Sequence, residues 1–347
     1  MDWLIRDLRV AARVLARDRA FTLTAASTLA VCIGANAALF TVVHHVLLRP
    51  LPVPEPSRII LMSNLYPKAG ATDSSNSGVP DYYDRLKAVT VLESQAMFQQ
   101  RSVSVGHEGL PVRLQVVDAT PSYFRVMGVA PALGRVFTDD EGEIGNEKRV
   151  VLSDALWHSQ FGGDPGVIGR DVRLDGQPYT IVGVMPRSFQ GLDPEVMLWR
   201  ALAFRPEQRS DEQRHSNNYW NVGRLKPGAT LAQAQAQVDA LNAANLERFP
   251  KYRELLINAG FRTQAVGLQD HLVRFVKPTL YLLWGGALFV LLIGCVNVAN
   301  LALVRARSRL KELATRLALG AGRWQVARQL IAESVALTLV AAGAGLL

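Results

Sequence analysis

The chain has 347 residues, about half of them hydrophobic, with two cysteines and a formal net charge of +8. Its length exceeds that of an ordinary single domain, and two cysteines exclude a disulfide scaffold. Residues 49–277 carry 26 Lys/Arg against 25 Asp/Glu, whereas residues 305–328 carry seven basic residues against Glu312 alone. Confinement of the basic excess to short segments speaks against nucleic-acid binding and matches the positive-inside pattern of membrane proteins.

The first 19 residues hold five arginines and three aspartates. Trp3, Leu4, Leu8, Ala11, Ala12 and Leu15 recur at helical spacing with arginines opposite, which predicts an amphipathic helix lying in a membrane interface on the cytoplasmic side. No charge occurs between Arg19 and Arg49, so residues 20–48 exceed the roughly 20 apolar residues that cross a bilayer as helix. A cleavable signal has an apolar core of only about 7–15 residues, so this span reads as an uncleaved anchor. Ala26, Ala30, Gly34 and Ala38 follow one another at four-residue steps. Such a stripe lets another helix approach closely, although the abundance of alanine accounts for it equally well.

Residues 49–277 form a predicted mixed α/β domain. Lys68–Gly78 reads as an exposed loop, and Thr120-Pro121 as a helix start. Arg149–Leu152 is strand-like, Ser153 caps a short helix through Phe161, and Gly162-Gly163 ends it. Arg170–Leu174 and Gln177–Met185 flank Asp175-Gly176, a strong hairpin signal. Asn218–Leu225 reads as a strand, Thr230 caps a long helix to about Phe249, and Phe261–Gly267 is a last strand.

Residues 278–304 form a second uncharged span, with Tyr281 and Trp284 placed for an aromatic belt at its outer end. Asn297 and Asn300 lie one turn apart, and Asn36 sits in the first span. Amides in lipid need partners and should face protein. Interhelical hydrogen bonding is the plain reading and a substrate path the sharper one. Both cysteines, Cys32 and Cys295, fall inside spans. In residues 305–325, Leu310, Leu313, Ala314, Leu317 and Ala318 make one apolar face opposite Arg309, Lys311, Glu312 and Arg316. Gly320-Ala321-Gly322 stops this helix, and Arg323-Trp324 starts the next, over 326–347, where Glu333 is the one charge in the apolar run that follows Arg328. The basic flanks put the N-terminus and residues 305–325 in the cytoplasm and 49–277 outside.

Catalytic signals are sparse. The six histidines are scattered without metal spacing. Asp139, Asp140, Glu141 and Glu143 could hold a cation, but a solvated turn is the plainer account. There is no GxxxxGK[ST] phosphate cradle. We therefore expect neither a catalytic site, a metal nor a cofactor, and any ATP hydrolysis must reside in another chain.

The run KELATRLALGAGRWQVARQLIAES, residues 311–334, resembles the signature of MacB/FtsX-type ABC transporter permeases of the mechanotransmission type. Val150-Val151-Leu152-Ser153, Trp157, Phe161-Gly162-Gly163-Asp164-Pro165, Ile168-Gly169-Arg170, Leu174-Asp175-Gly176 and Val182-Gly183-Val184-Met185-Pro186 resemble the MacB-like periplasmic core domain. The alanine-rich first span with Leu48-Arg49-Pro50-Leu51-Pro52 is similar to the acidobacterial duplicated orphan permeases.

The resemblance implies an α+β membrane protein of the bacterial inner membrane. Its extracytoplasmic domain would have a porter-like part and an inserted subdomain at about 133–217, and an FtsX-like permease domain would start at 278. The family pattern has four spans, repeated in this subgroup, so the sequence reads as the N-terminal part of such a permease. The implied partners are a cytoplasmic ABC ATPase subunit, a second permease unit or internal duplication, and membrane lipid; a periplasmic partner stays open. Arg309, Lys311, Leu313, Arg316, Leu317, Gly320 and Arg323 would form the coupling helix that meets the ATPase, and Ala26, Ala30, Gly34, Ala38, Asn297 and Asn300 would pack helices. The alternatives are an FtsX-like regulator of a periplasmic hydrolase and a membrane-tethered binding or sensor domain.

Overall fold

The computed structural model describes residues 2–48, 50–106, 112–308, 310, 314, 315, 318 and 322–346. In chain order the helices are α1 (Asp2–Arg17), α2 (Arg19–Val43), α3 (Val79–Ala88), α4 (Tyr123–Met127), α5 (Asp154–Phe161), α6 (Leu231–Arg248), α7 (Arg253–Ala259), α8 (Leu268–Val273), α9 (Val276–Ser308) and α10 (Arg323–Gly345). The strands are β1 (Ile59–Leu65), β2 (Asn76–Ser77), β3 (Leu92–Gly106), β4 (Val112–Ala119), β5 (Leu133–Gly134), β6 (Arg149–Leu152), β7 (Asp171–Leu174), β8 (Gln177–Val184), β9 (Val196–Ala201), β10 (Tyr219–Leu225) and β11 (Arg262–Gly267). They fall into two units, a helical one of Met1–Arg49 with Val273–Leu347 and a sheet unit of Pro50–Leu272.

In the helical unit, three helices are long and apolar enough to cross a membrane: Arg19–Leu47, Val276–Arg307 and Ala327–Gly345. Asp18 separates α1 from α2, and its carboxylate accepts from Phe21 N as the cap of α2. That bond satisfies one of the orphan donors at the helix start. Ala11 and Leu15 of α1 are buried, and Leu15 joins Ala25 and Leu337 in a small apolar cluster. Ala12 is exposed; the side chains of Trp3, Leu4 and Leu8 lie outside the described residues.

The sheet unit is one eleven-stranded sheet in the order β11-β1-β10-β3-β4-β9-β6-β8-β5, with β2 on β10 and β7 bridging β3 and β8. The pairs β4–β9 and β6–β8 are parallel, and the other pairs between these strands are antiparallel. Strand β3, 15 residues long, serves two cores. Ala96 and Phe98 belong to the first, with Tyr123, Phe124 and Trp199. Val103 and Val105 belong to the second, with Val150, Phe161, Ile181 and Leu198. This second core lies mostly within 133–217 and also takes Val116 from β4. Helix α6 seals a third cluster by laying Ala234 and Val238 over Ile60, Met62 and Leu225.

Local chemistry accounts for most of the boundaries. Leu174 pairs with Gln177, so Asp175-Gly176 is a two-residue hairpin loop. Both loop residues have positive φ, 47° and 81°, as a type I′ turn requires. Asp175 tolerates this because its backbone N–H donates to Ser104 O and its carboxylate accepts from Ser104 N. Ser153 Oγ accepts from Leu156 N at the start of α5, and Thr230 forms a capping box with Gln233 at the start of α6.

Two expectations differ from the structure. The segment 68–78 is not all loop, since Asn76 and Ser77 add a short strand to β10. The helix expected at Thr120 starts at Tyr123. Thr120 Oγ1 instead accepts from Met97 N, and Ser122 Oγ donates to Gln95 O. Both hydroxyls fasten the loop to β3 in place of capping a helix.

Candidate functional site in the helical unit

Arg305 near the end of α9 meets α1, α10 and the start of α2. Its Nε lies 3.2 Å from the Asp18 carboxylate and its Nη1 3.9 Å from that of Glu333 in α10. Its Nη2 donates to Val14 O of α1 at 3.3 Å, and its guanidinium carbon lies 4.5 Å over the Phe21 ring of α2. Gln329 Nε2 donates to the other Glu333 oxygen at 3.4 Å. The Arg305 and Glu333 side chains are 12% and 8% exposed. Charges so enclosed persist only when paired, because desolvation costs several kcal/mol per ion. A planar guanidinium can meet two carboxylates, a carbonyl and a ring at once, which an ammonium cannot.

Helix α2 packs on α9 by polar and sulfur contacts. Asn36 Nδ2 donates to Ala287 O at 2.8 Å and to Cys32 O at 3.0 Å. Cys32 Sγ donates to Val290 O at 3.7 Å, and a Cβ on Gly294 would sit 2.7 Å from that sulfur. The predicted small-residue stripe falls partly on α10. Ala26 packs beside the cluster of Leu15, Ala25 and Leu337. A Cβ on Gly34 would meet Gly345 O at 2.7 Å, and one on Gly345 would meet Ala30 O at 2.4 Å. Ala38 is exposed.

Asn297 and Asn300 are both exposed on α9. Successive helix positions turn by about 100°, so the face bearing Ala287, Gly294 and Val298 meets the neighbouring helices while the amides look away. Of the residues expected to form the coupling helix, Arg309, Lys311, Leu313, Arg316, Leu317 and Gly320 lie outside the described residues. Arg323 opens α10, and only its backbone is described.

The Arg305 junction was missed in the sequence because its parts stand at positions 14, 18, 21, 305 and 333. The usable signal was Glu333, since a carboxylate within an apolar run demands a partner.

The sheet unit holds a second polar assembly. Arg85, 1% exposed, donates to Ser77 Oγ, Asn221 Oδ1, Asn64 Oδ1 and Thr263 Oγ1, and lies 3.8 Å from Asp81. Arg214 is paired with Asp81, Asp84 and Asp211. Tyr66 OH shares a 2.8 Å bond with His215 Nδ1, and Ser75 Oγ one of 2.7 Å with His271 Nε2. The first pair is poorly suited to proton transfer near neutrality, because burial raises the Tyr66 pKa to about 12 and pushes that of His215 down.

The acidic segment is a set of arginine contacts. Asp139 pairs with Arg125, Glu143 with Arg209, and Glu141 accepts both ends of the Arg135 guanidinium and the Thr138 N–H. No group of three or more His, Cys, Asp or Glu among the described residues is arranged to hold a metal. Burial pushes the Glu141 carboxyl up, but Arg135 and the Thr138 N–H more than offset it, and the net shift is downward. A depressed carboxylate contributes stability above its unfolded pKa of about 4.3 and loses it as pH falls through the lower folded value. The difference in thermal midpoint between the native chain and Glu141→Gln should be open at about pH 6 and close toward about pH 3. A gap that stays constant on acidification would show that Glu141 is not ionised in the folded chain.

Residues 22–241 match the family model of the MacB-like periplasmic core domain, and residues 284–347 that of the FtsX-like permease C-terminal region. The chain is 25% identical over 272 residues to the macrolide export ATP-binding/permease protein MacB of Neisseria meningitidis, covering 74% of this chain and 40% of that protein. It is 24% identical over 294 residues to MacB of Burkholderia thailandensis, covering 82% and 42%. The chain thus spans about 40% of the length of such relatives. Among solved structures, the periplasmic region of MacB from Actinobacillus actinomycetemcomitans aligns with TM-score 0.42 and 12% identity, covering 65% of this chain and 94% of that one. The extracellular domain of the noncanonic ABC-type transporter YknZ from Gram-positive bacteria aligns with TM-score 0.40 and 16% identity, covering 60% and 99%.

Proposed function

The chain belongs to the family of the MacB-like periplasmic core domain joined to an FtsX-like permease segment, and from that premise we propose that it is a permease subunit moved by a separate cytoplasmic ATPase. The observation that carries this reading is the Arg305 junction. It ties α9 to α10 through Glu333, and to α1 and α2 through Val14, Asp18 and Phe21. The segment between Ser308 and Arg323 leaves α9 beside this junction and returns at α10. A push on that segment would act on the fastened group and not on one helix alone. A helix passes displacement along its axis because its backbone bonds are satisfied internally. The chain connections from the helical unit to the sheet unit run from α2 and into α9, so motion would reach the sheet unit along them.

In this reading Arg309, Lys311, Leu313, Arg316, Leu317, Gly320 and Arg323 meet the ATPase, and the basic flanks put them in the cytoplasm. The sheet unit lies in the periplasm of a cell whose inner membrane holds the spans, and the work done is export. The uncovered Asn297 and Asn300 amides support a further helix on α9, from a second permease unit or an internal repeat.

Co-purification with a nucleotide-binding subunit and assay of its ATPase test the proposal. Arg316→Ala with Leu317→Ala should lower the coupled ATPase by about 5–150-fold, the span of a 1–3 kcal/mol coupling, while the chain still inserts. Unchanged stimulation would remove the coupling role from this segment.

A further inference from the structure

The sheet unit contains a cavity of about 280 Å³ between the end of α6, the start of α7 and the stretch Asp211–His215. That is about nine times the ~30 Å³ share of one water in the liquid, enough for one bulky side chain. Its apolar wall is aromatic: Phe249, Tyr252 and Phe261, with Leu246 and Leu256. The three aromatic rings are only half-buried, although they border the polar network of Asp81, Asp84 and Arg214. Aromatic residues left part-wet around a concavity mark a binding site more often than a scattered surface leucine does.

Its charges are balanced. Arg214 is held by Asp81, Asp84 and Asp211 and lies 4.7 Å over the Phe249 ring. Arg248 lies 4.8 Å over the same ring, and Lys251 faces Tyr252 at 5.1 Å. In all the lining carries three cations, Arg214, Arg248 and Lys251, against three carboxylates, Asp81, Asp211 and Glu212. A cavity without net charge does not select an ion.

Its neutral polar groups ask for an amide. Asn242 Nδ2 donates to Thr263 and Asn245 Nδ2 to Asp84, so both amides are oriented. Among the described residues no hydrogen bond uses the side-chain oxygen of either, and the two acceptors lie one helical turn apart. Tyr66 OH accepts from Asn217, which leaves its proton for His215 Nδ1 and makes Nε2 the donor of a neutral imidazole. Two acceptors and a donor beside an aromatic wall complement a group that carries N–H, C=O and a large apolar substituent.

We propose that this cavity binds an aromatic side chain together with its adjoining amide, supplied by a peptide or by an amino acid. The site is independent of the ATPase reading, since it uses residues of the sheet unit alone.

The full chain in lipid nanodiscs is titrated with N-acetyl-phenylalaninamide, free phenylalanine and N-acetyl-glycinamide by calorimetry. The capped phenylalanine should bind saturably with Kd of about 1 mM or tighter, and the glycine compound should not bind. Binding stronger with the capped compound identifies a peptide as the source, and stronger with the free zwitterion an amino acid. Leu246→Trp, which fills the cavity from its own wall, should abolish binding with the thermal midpoint kept. Should that variant fail to fold, Tyr252→Ala should weaken binding about tenfold or more, as loss of a ring contact of about 1.4 kcal/mol would. No saturable binding of either phenylalanine compound at about ten times that Kd overturns the proposal, as does equal binding by a folded Leu246→Trp or by Tyr252→Ala.

Discussion

Arg305→Met is expected to loosen the whole helical unit and to abolish coupling while the chain still inserts. The substitution removes the cation that faces Asp18 and Glu333, together with the donor to Val14 O. Glu333 stays 8% exposed on a membrane-length helix. Removing one partner of a buried pair typically costs about 3–5 kcal/mol, mostly because the other charge remains enclosed. Removing both is far milder, so Arg305→Met with Glu333→Met should recover most of the loss. Asp18 is left with solvent to face, since 43% of its side chain is exposed. Resistance to thermal unfolding in detergent, measured for the two single variants and the double, forms the cycle. Additive losses would show that the two charges do not interact, and the junction would then be incidental.

Arg85→Met should be the most destabilising single change in the sheet unit. At 1% exposure Arg85 supplies donors to Ser77, Asn221, Asn64 and Thr263, each from a different segment. Methionine fills much of the volume but removes four charged hydrogen bonds of about 1.5–3 kcal/mol each, and each acceptor keeps only a neutral partner: Gln95 at Asn221, Thr263 at Asn64, Asn242 at Thr263 and Met62 O at Ser77. Asp81 retains Arg214 and Asn64 as partners, so the loss falls on the neutral groups. Two such bonds, about 3–6 kcal/mol, reach the low end of the total stability of an ordinary domain, about 5–15 kcal/mol. Chemical denaturation should show a midpoint so low that the sheet unit is partly unfolded in buffer. A variant as stable as the native chain would mean that the remaining neutral partners and water replace all four bonds.

Much of the architecture was legible because the determining interactions are local. The Asp175-Gly176 turn, the Ser153 and Thr230 caps and the uncharged spans each follow from residues near one another in sequence. What escaped is set by distance. Arg85 sits on an α3 whose Asp81, Asp84, Arg85 and Lys87 read as a solvated face, and only the strands packed over it make it interior. The two residues of β2 carry no strand signal of their own and are extended because they pair with Tyr219 and Trp220 of β10, beyond the stretch that β1 covers. Asn297 and Val298 are equally plausible as the inward position by pattern. Only Gly294 and Cys32, packed sulfur against backbone, decide which way α9 turns. The aromatic cavity was invisible for the same reason, since His215, Phe249 and Phe261 come together from separate turns.

Strand β3 belongs to two cores at once, and this affects how the sheet unit yields. Two domains joined by a linker can melt in succession, each with its own transition. Here Ala96 and Phe98 are pinned on one side, and Val103 and Val105 on the other, within a single run of backbone. Opening either half exposes ladder bonds of the same strand, so a partially melted state gains little freedom for what it gives up. The unit should therefore hold or fail as one body under mechanical load.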